Sequence, residues 1–413
     1  MKLHLSLFIC CVLLLPLFQV CSPNIIAQGS AGVTTSQIPV YIGIARNYDN
    51  RKCVVTISLD DFGSNSSAWQ SCLSVRTRKR LYHTVGIITN TTDWKYAQYW
   101  LDQGYTEAAS HSADHFDAWN AGAALFGKGQ GINYQWEVNG SKNAIVGNLS
   151  LPQWWRKDQK QYVYAWIDPY GRSNNAVEQW LGLSHYLLER GTAIYPSADP
   201  IAWDSANNLF EQTGITKEVG PKYGGETSVS ALNSRFDSCY KAGQVYHLMA
   251  HPAYVDWSKG GYADQHTDYI CRRTDVWYVP LGILSLYRWI STRNVTHVTR
   301  VSPMTSVFKI SIDKDAHETY GASYPVTYSF KIPSNWTRAY VYCKSVESSH
   351  WKLMANENAG KFFDGTEAAR FDFSKHEAYI SIAFRSQVNN LYLQILASPM
   401  WAMNPFSVRR TPS

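Results

Sequence analysis

Three groups of residues in this 413-residue chain have the types and spacing to do chemistry. His111 and His115 stand four apart in Tyr105 to His115, Tyr-Thr-Glu-Ala-Ala-Ser-His-Ser-Ala-Asp-His. Imidazoles at that spacing can share one side of a helical turn and close on a single metal ion, with Ser112 and Asp114 left to orient them. Alone the spacing is unspecific: the chain has 12 His, and His247/His251 repeats the interval. What gives it weight is Cys53 to Phe62, where a β-branched apolar run ends in two adjacent carboxylates, Asp60 and Asp61. Such a pair is costly in a core and useful at the end of a barrel strand.

Strand-like apolar runs at 54–59, 85–89, 162–167, 192–195 and 245–250 alternate with helix-like segments. Residues 81–90 read as the second strand, 94–104 as the helix leading to the His pair, and 275–290 as a closing strand and helix. The alternation predicts an α/β fold, a parallel sheet closed or nearly closed into a (β/α) barrel. Neighbours on an ideal strand point to opposite faces, so Asp60 and Asp61 share one site only where the strand ends; Phe62-Gly63-Ser64 is the expected turn. Beyond Thr299 the pattern changes to short alternating strands at 307–312, 326–332, 338–343, 378–384 and 391–396, which predicts a C-terminal antiparallel β-sandwich. The expected division is a leader over 1–28, a linker over 29–44, the barrel over 45–298 and the sandwich over 299–413.

These motifs resemble the polysaccharide deacetylases that share the NodB homology domain, over about Lys52 to Arg293. The family's Thr-Phe-Asp-Asp is similar to Ser58-Leu59-Asp60-Asp61, and its His-(Ser/Thr)-x-x-His to His111-Ser112-Ala113-Asp114-His115. The resemblance implies that Asp61, His111 and His115 hold a divalent ion, most plausibly Zn2+, and that Asp60 takes the proton of an attacking water. The family's Arg-x-Pro-Tyr is half present as Ile167-Asp168-Pro169-Tyr170, with Ile167 in the place of Arg. The backbone N–H of Tyr170 is then implied to help hold the oxyanion, with Pro169 beside the substrate. Asp-x-x-Asp-Trp is reduced to Asp199-Pro200-Ile201-Ala202-Trp203, implying substrate contacts at Asp199 and Trp203. Loss of both the Arg and the second Asp leaves Asp60 without the guanidinium that tethers it in the family, so a less readily ionised Asp60 is expected. Leu-x-His matches Met249-Ala250-His251, casting His251 as the general acid; His247, deeper on the same strand, reads as a satisfied core histidine.

Composition fits an exported protein. Met1, Lys2 and His4 precede an apolar run from Leu5 to Val20, the layout of a secretory signal peptide and too short to be read first as a membrane span. Removing it leaves five cysteines, for which the pairs Cys53–Cys72 and Cys239–Cys271 are expected, with Cys343 left over. Sequons stand at Asn65, Asn90, Asn139, Asn148, Asn294 and Asn335. The net charge is +6, and its densest basic run, Arg76 to Arg80, reads as a solvated helix face and not a nucleic-acid patch. Among the 16 Trp, Trp154, Trp155, Trp203 and Trp257 are candidates for stacking on sugars.

The sequence therefore points to a secreted, monomeric, metal-dependent hydrolase that removes acetyl groups from an N-acetylated glycan, with neither nucleic acid nor a membrane span involved. Two competitors follow from the altered third and fourth motifs. One is a catalytically weak barrel that binds glycan; the other is an amidohydrolase acting on a small non-glycan amide.

Overall fold

The computed structural model describes residues 38–398 apart from 65, 121–131, 153–161, 195–210, 294–295, 304, 313–323, 357–364 and 385–389. The expected leader, Trp154, Trp155, Asp199, Ala202, Trp203, Asn65 and Asn294 lie outside the described residues. In chain order the first strands are β1 (Val40–Ile44), β2 (Cys53–Phe62), β3 (His83–Ile87), β4 (Thr106–Ser110) and β5 (Ala165–Ile167). They are followed by β6 (Leu188–Ile194), β7 (Glu211–Ile215), β8 (Lys217–Val219), β9 (Val245–Ala250) and β10 (Val276–Tyr278). Helices α1 (Ser67–Arg78), α2 (Trp94–Asp102), α3 (Ser141–Asn148), α4 (Asn175–Leu183), α5 (Val229–Ala242), α6 (Tyr262–Ile270) and α7 (Leu281–Arg293) lie between or after them.

All of these strands but β1 form one parallel sheet in the order β7-β6-β5-β4-β3-β2-β9-β8, with β10 beside the start of β2. β7 and β8 are a single run interrupted at Thr216, which bonds to His247 O through its N–H (2.9 Å) and to Val245 O through its hydroxyl (3.2 Å). Because β7 pairs with β6 and β8 with β9, that one run joins the two ends and closes the barrel. Closure brings the C-terminal ends of β2, β4, β5, β6, β8 and β9 around one mouth. The helix starts carry the caps that local chemistry favours: Ser66, Asp93, Asn174 and Ser228 each accept from the first turn of α1, α2, α4 and α5.

After α7 the chain builds antiparallel strands β11 (Thr296–Arg300), β12 (Val307–Ile312), β13 (Val326–Lys331), β14 (Tyr340–Ser345) and β15 (Lys352–Leu353). β16 (Ala355–Asn356), β17 (Ala368–Asp372), β18 (Glu377–Ile382) and β19 (Asn390–Leu396) complete the described chain. They make two five-stranded sheets, β1-β13-β18-β17-β16 and β11-β12-β19-β14-β15, mostly antiparallel, with only β16 and β17 parallel. Alternate residues of β12, Phe308, Ile310 and Ile312, are buried with Tyr328 and Phe330 of β13, and the Phe308 and Phe330 rings lie 4.9 Å apart.

Two expected boundaries move. Val40–Ile44, placed in a linker, is β1, an edge strand of a C-terminal sheet paired with β13. β11 crosses the expected boundary at 298/299 and belongs to the antiparallel sheet. The barrel and these sheets share one hydrophobic cluster, in which Leu281, Leu284 and Tyr287 of α7 pack with Val326 and Tyr328. Tyr287 Oη donates to Ala45 O at 2.7 Å, and Arg370 Nε reaches Asp49 at 2.8 Å.

Two other expectations are corrected. Cys72 and Cys271 carry free thiols, so neither expected disulfide is formed. The Arg76–Arg80 run is a solvated face only in part: Arg78 and Arg80 are exposed, but Arg76 is fully buried against the Trp257 ring (4.8 Å), and Lys79 is buried on Asp264 (2.6 Å). That places Trp257 in the core, not in a sugar groove. Among the described residues no helix is long and apolar enough to cross a membrane.

Candidate metal centre

The two carboxylates of β2 share a site by means of a bulge. β2 advances from Leu59 to Phe62 while its neighbour β3 advances only from Val85 to Ile87, so one extra residue is held at Asp60–Asp61. Asp61 takes the left-handed conformation, φ 67°, uncommon for a residue with a side chain. The bulge, and not the turn expected at Phe62-Gly63-Ser64, resets the alternation of the strand. Asp60 stays in the barrel interior, 2% exposed, while Asp61 looks into the mouth with its side chain 39% exposed.

His111 and His115 are brought to Asp61 by a loop and not by the helical turn the spacing suggested. β4 ends at Ser110, and Ser112 (φ 67°) and His115 (φ 56°) both adopt left-handed conformations. Backbone strain of this kind persists where surrounding bonds over-determine it. Here Ser112 Oγ accepts from His115 N (2.7 Å), and Ser112 O and Ala113 O accept from Thr89 N (3.1 Å) and Asn90 N (3.0 Å). The buried carboxylate of Glu137 receives the N–H groups of Ala113 and Asp114, both at 3.0 Å. Burial pushes the Glu137 carboxyl up to about 7 despite those donors. Asp114 turns away to the side chain of Asn90.

Nε2 of both histidines lies 3.2 Å from Asp61 Oδ1, and the three donor atoms fall within 4.8 Å of one another. His111 Nδ1 faces the carbonyl of Ile167 at 2.8 Å, and a carbonyl only accepts, so Nδ1 carries the proton and the Nε2 lone pair faces Asp61. Two imidazoles and a carboxylate, with one imidazole fixed in the ligating tautomer, fit a divalent ion of the zinc type. The sequence-predicted ligands Asp61, His111 and His115 are therefore brought together.

Asp60 does not lack a guanidinium. Arg190, on β6 and the in-register neighbour of Ile167 on β5, donates Nη2 to Asp60 Oδ1 while itself wholly buried. Burial opposes ionisation of Asp60, but Arg190, with His111 and His251 beside it, outweighs burial and holds the carboxyl below its ordinary value. The expectation of a less readily ionised Asp60 is thus overturned: the cation stands one strand over from where the resemblance placed it.

His251 follows β9, with Nε2 4.0 Å from both Asp60 Oδ2 and Asp61 Oδ2. Its Nδ1 meets Glu218 of β8 at 3.1 Å. Burial works against the imidazolium, but the Glu218 hydrogen bond and the two Asp charges prevail and raise its pKa above the ordinary value. His247 is the satisfied core histidine expected: Nδ1 donates to Gly214 O (2.8 Å), Nε2 accepts from Ser58 Oγ (3.0 Å), and burial drives it down to about 3.

Tyr170 (φ 55°) follows the buried Pro169 and lays its ring 4.5 Å from that of His115. Other exposed rings stand around the mouth. Tyr223 lies 5.1 Å from the His251 ring and Tyr254 6.4 Å from it, while Arg172 bridges Tyr170 (5.9 Å) and Trp119 (4.9 Å). Sequence reasoning missed Arg190, Glu218, Glu137 and these aromatics. Arg190 and Glu218 meet partners 130 and 33 positions away, so no local spacing marks them.

No protein-family model matches this sequence, and no curated protein matches it. Solved structures to which the chain is similar include polysaccharide and peptidoglycan deacetylases and family 4 carbohydrate esterases. A Mycobacterium smegmatis protein assigned as a polysaccharide deacetylase is 12% identical, over 59% of this chain and 93% of that one, with a TM-score of 0.43. The family 4 esterase domain of a multidomain xylanase from the hindgut metagenome of Trinervitermes trinervoides is 18% identical, over 57% and 90%, at 0.34. The peptidoglycan deacetylase PdaC from Bacillus subtilis is 14% identical, over 58% and 92%, also at 0.34.

Proposed function

We infer that this protein is a secreted, divalent-metal-dependent hydrolase that removes acetyl groups, N-linked or O-linked, from a carbohydrate polymer. The observation that carries this reading is the convergence of Asp61, His111 and His115 beside two further groups, each held by its own partner: Asp60 by Arg190 and His251 by Glu218. A divalent ion held by Asp61, His111 and His115 would supply Lewis acidity for the acyl oxygen and the attacking water.

The chain supplies the remaining parts. Asp60, kept ionised by Arg190, is the base that takes the proton of water. His251, kept protonated by Glu218, gives a proton to the departing nitrogen or oxygen. The Tyr170 N–H is assigned to the developing oxyanion, with Pro169 shaping the wall beside it. Exposed rings of Trp119, Tyr170, Tyr223 and Tyr254 offer faces to sugar units on either side of the scission point. Asp199 and Trp203, outside the described residues, are assigned to substrate binding from the sequence alone.

Export is supported by the Leu5–Val20 run and its flanks, and N-glycosylation by the exposed sequons Asn90, Asn148 and Asn335. The Asp60–Arg190 pair favours this reading over a catalytically weak or inactive, glycan-binding barrel. The reading is tested by acetate release from N-acetylglucosamine oligomers and from acetylated xylan, against a small amide such as acetanilide. Release from either glycan supports it; release from acetanilide alone, or from none, contradicts it.

A further inference from the structure

A cavity of about 490 Å³ opens at the barrel end opposite the metal centre, within the ~300–1,000 Å³ range of ligand pockets. Its walls include Arg51, Tyr82 and Tyr105, which precede β2, β3 and β4, whereas the metal centre lies where β2 and β4 finish. The seven steps from Cys53 to Asp60 separate the two ends by roughly 23 Å. Arg51, Arg78, Lys79, Arg80 and Arg272 line the cavity, and among the described residues no carboxylate does. Lys79 is engaged by Asp264 (2.6 Å) and Asp268 (2.9 Å), and Arg51 by Asp49 (3.0 Å). Arg80 and Arg272 are exposed and have no carboxylate partner among the described residues.

The backbone marks the same two arginines. Arg80 (φ 55°) and Arg272 (φ 62°) stand two residues beyond the ends of α1 and α6, in the left-handed conformation where glycine is the unstrained choice. The chain uses glycine at the equivalent place after α2, Gly104 (φ 80°), and one residue beyond α5, Gly243 (φ 67°), while His185 (φ 53°) takes the equivalent place after α4. A cation at a helix C-terminus is favourable, but any position in the last turn provides that without the strain. What these positions add is two guanidinium groups delivered to one cavity. Tyr105, half-buried with its ring centroid 5.3 Å from that of the buried Tyr82, adds aromatic surface of the kind that packs on a sugar ring. A second cavity of about 520 Å³ shares Arg51 and carries Arg46, Lys52, Arg370 and Lys375 with one carboxylate, Asp275, extending the mainly basic surface toward the antiparallel sheets.

We propose that this face binds an acidic polysaccharide, with a sulfate- or carboxylate-bearing sugar seated against Arg80, Arg272 and Tyr105. The site is independent of the metal centre and would hold the protein on an anionic polymer while the opposite mouth works on acetyl groups. The test uses the full chain with immobilised dextran sulfate, carboxymethyl dextran and uncharged dextran of matched length, and the double variant Arg80→Gly/Arg272→Gly. Because glycine suits both backbone positions, the variant should melt at the wild-type temperature or above it, which separates lost binding from lost folding. Wild type should bind one or both charged dextrans and not the uncharged one, with affinity falling as salt rises. The double variant should bind at least tenfold more weakly, and Asp60→Asn should bind as wild type does. The proposal is overturned if wild type binds neither charged dextran or binds the uncharged one equally. It is also overturned by undiminished binding in the double variant, or by polyphosphate competing as well as dextran sulfate at equal charge, since charge alone would then explain the binding.

Discussion

Arg190 donates to Asp60 from inside the barrel, with the guanidinium wholly buried and its β-carbon one strand removed from Ile167, whose in-register partner it is. A buried pair of this kind is hard to break on one side only, because the survivor is left as an uncompensated charge. Arg190→Met should therefore cost ~3–5 kcal/mol of stability and lower kcat more than 100-fold, while Asp60→Asn/Arg190→Met should be more stable than Arg190→Met alone. Chemical denaturation of wild type, Asp60→Asn, Arg190→Met and the double variant measures the coupling; additive losses would show that the pair is not formed. Ile167→Arg should restore nothing, because the place beside Asp60 is already filled.

Glu218 plays the corresponding part for His251. Glu218→Gln removes the charge that keeps His251 protonated and leaves the metal ligands untouched. Turnover should fall about 10- to 100-fold at neutral pH with KM little changed, the pattern of a group acting through the general acid and not through binding. A raised KM with unchanged kcat would reassign Glu218 to substrate contact.

Glu137 braces the loop between the two histidines through the N–H groups of Ala113 and Asp114. Glu137→Ala should weaken metal affinity about 10- to 100-fold without altering which residues ligate, as removal of an outer-shell support does. Competition with a chelating dye reads this directly, and wild-type affinity in the variant would mean that the loop holds its own shape.

Much of this architecture is legible in the sequence and some is not, for identifiable reasons. β9 and β12 are read at their true bounds because each is an uninterrupted or cleanly alternating run: Val245–Ala250 buried throughout, and Val307–Ile312 buried at every second residue. The closing run β7–β8 escapes because Gln212, Thr213, Thr216, Lys217 and Glu218 make it read as polar loop; their partners across the barrel are what make a strand of it. The ligands Asp61, His111 and His115 carry local motifs, whereas Arg190 and Glu218 are chosen by three-dimensional neighbours. The error about Asp60 has the same root: the resemblance located the position a cation should leave from, and Arg190 fills the place it should reach by leaving from the adjacent strand.

The shared core sets what truncation should do. Tyr324 packs on Tyr48 (5.9 Å) and Trp277 (6.1 Å), and α7 packs with residues of β13, so cutting at Arg300 strips the barrel's closing helix of its cover. The truncated chain should be insoluble or melt well below the full one; a soluble, metal-binding 38–300 fragment would show that the barrel stands alone.

Glu107 gives a stability signature far from the mouth. Burial lifts its carboxyl from the ordinary 4.5 to about 7, even though Thr84 Oγ1 (2.7 Å) and Gly282 N (2.8 Å) donate to it. An acid with a raised folded-state pKa binds its proton more tightly when folded, so stability is fullest below about pH 4.5 and is lost as pH rises through 7. Glu107→Gln keeps the acceptor without the charge, and it should be about 2–3 kcal/mol more stable than wild type at pH 8 and no different near pH 4. Melting curves at the two pH values decide it; a variant less stable at pH 8 would show that the ionised carboxylate is wanted at the start of α7.

The most direct test of the central claim is acetate release by wild type and Asp60→Asn at matched metal occupancy, on N-acetylglucosamine oligomers and acetylated xylan. Asp60→Asn keeps the three donors Asp61, His111 and His115, so it should retain one divalent ion per chain and lose activity at least 1,000-fold. Acetate release undiminished in that metal-loaded variant, or no release by metal-loaded wild type from either glycan, would contradict the account.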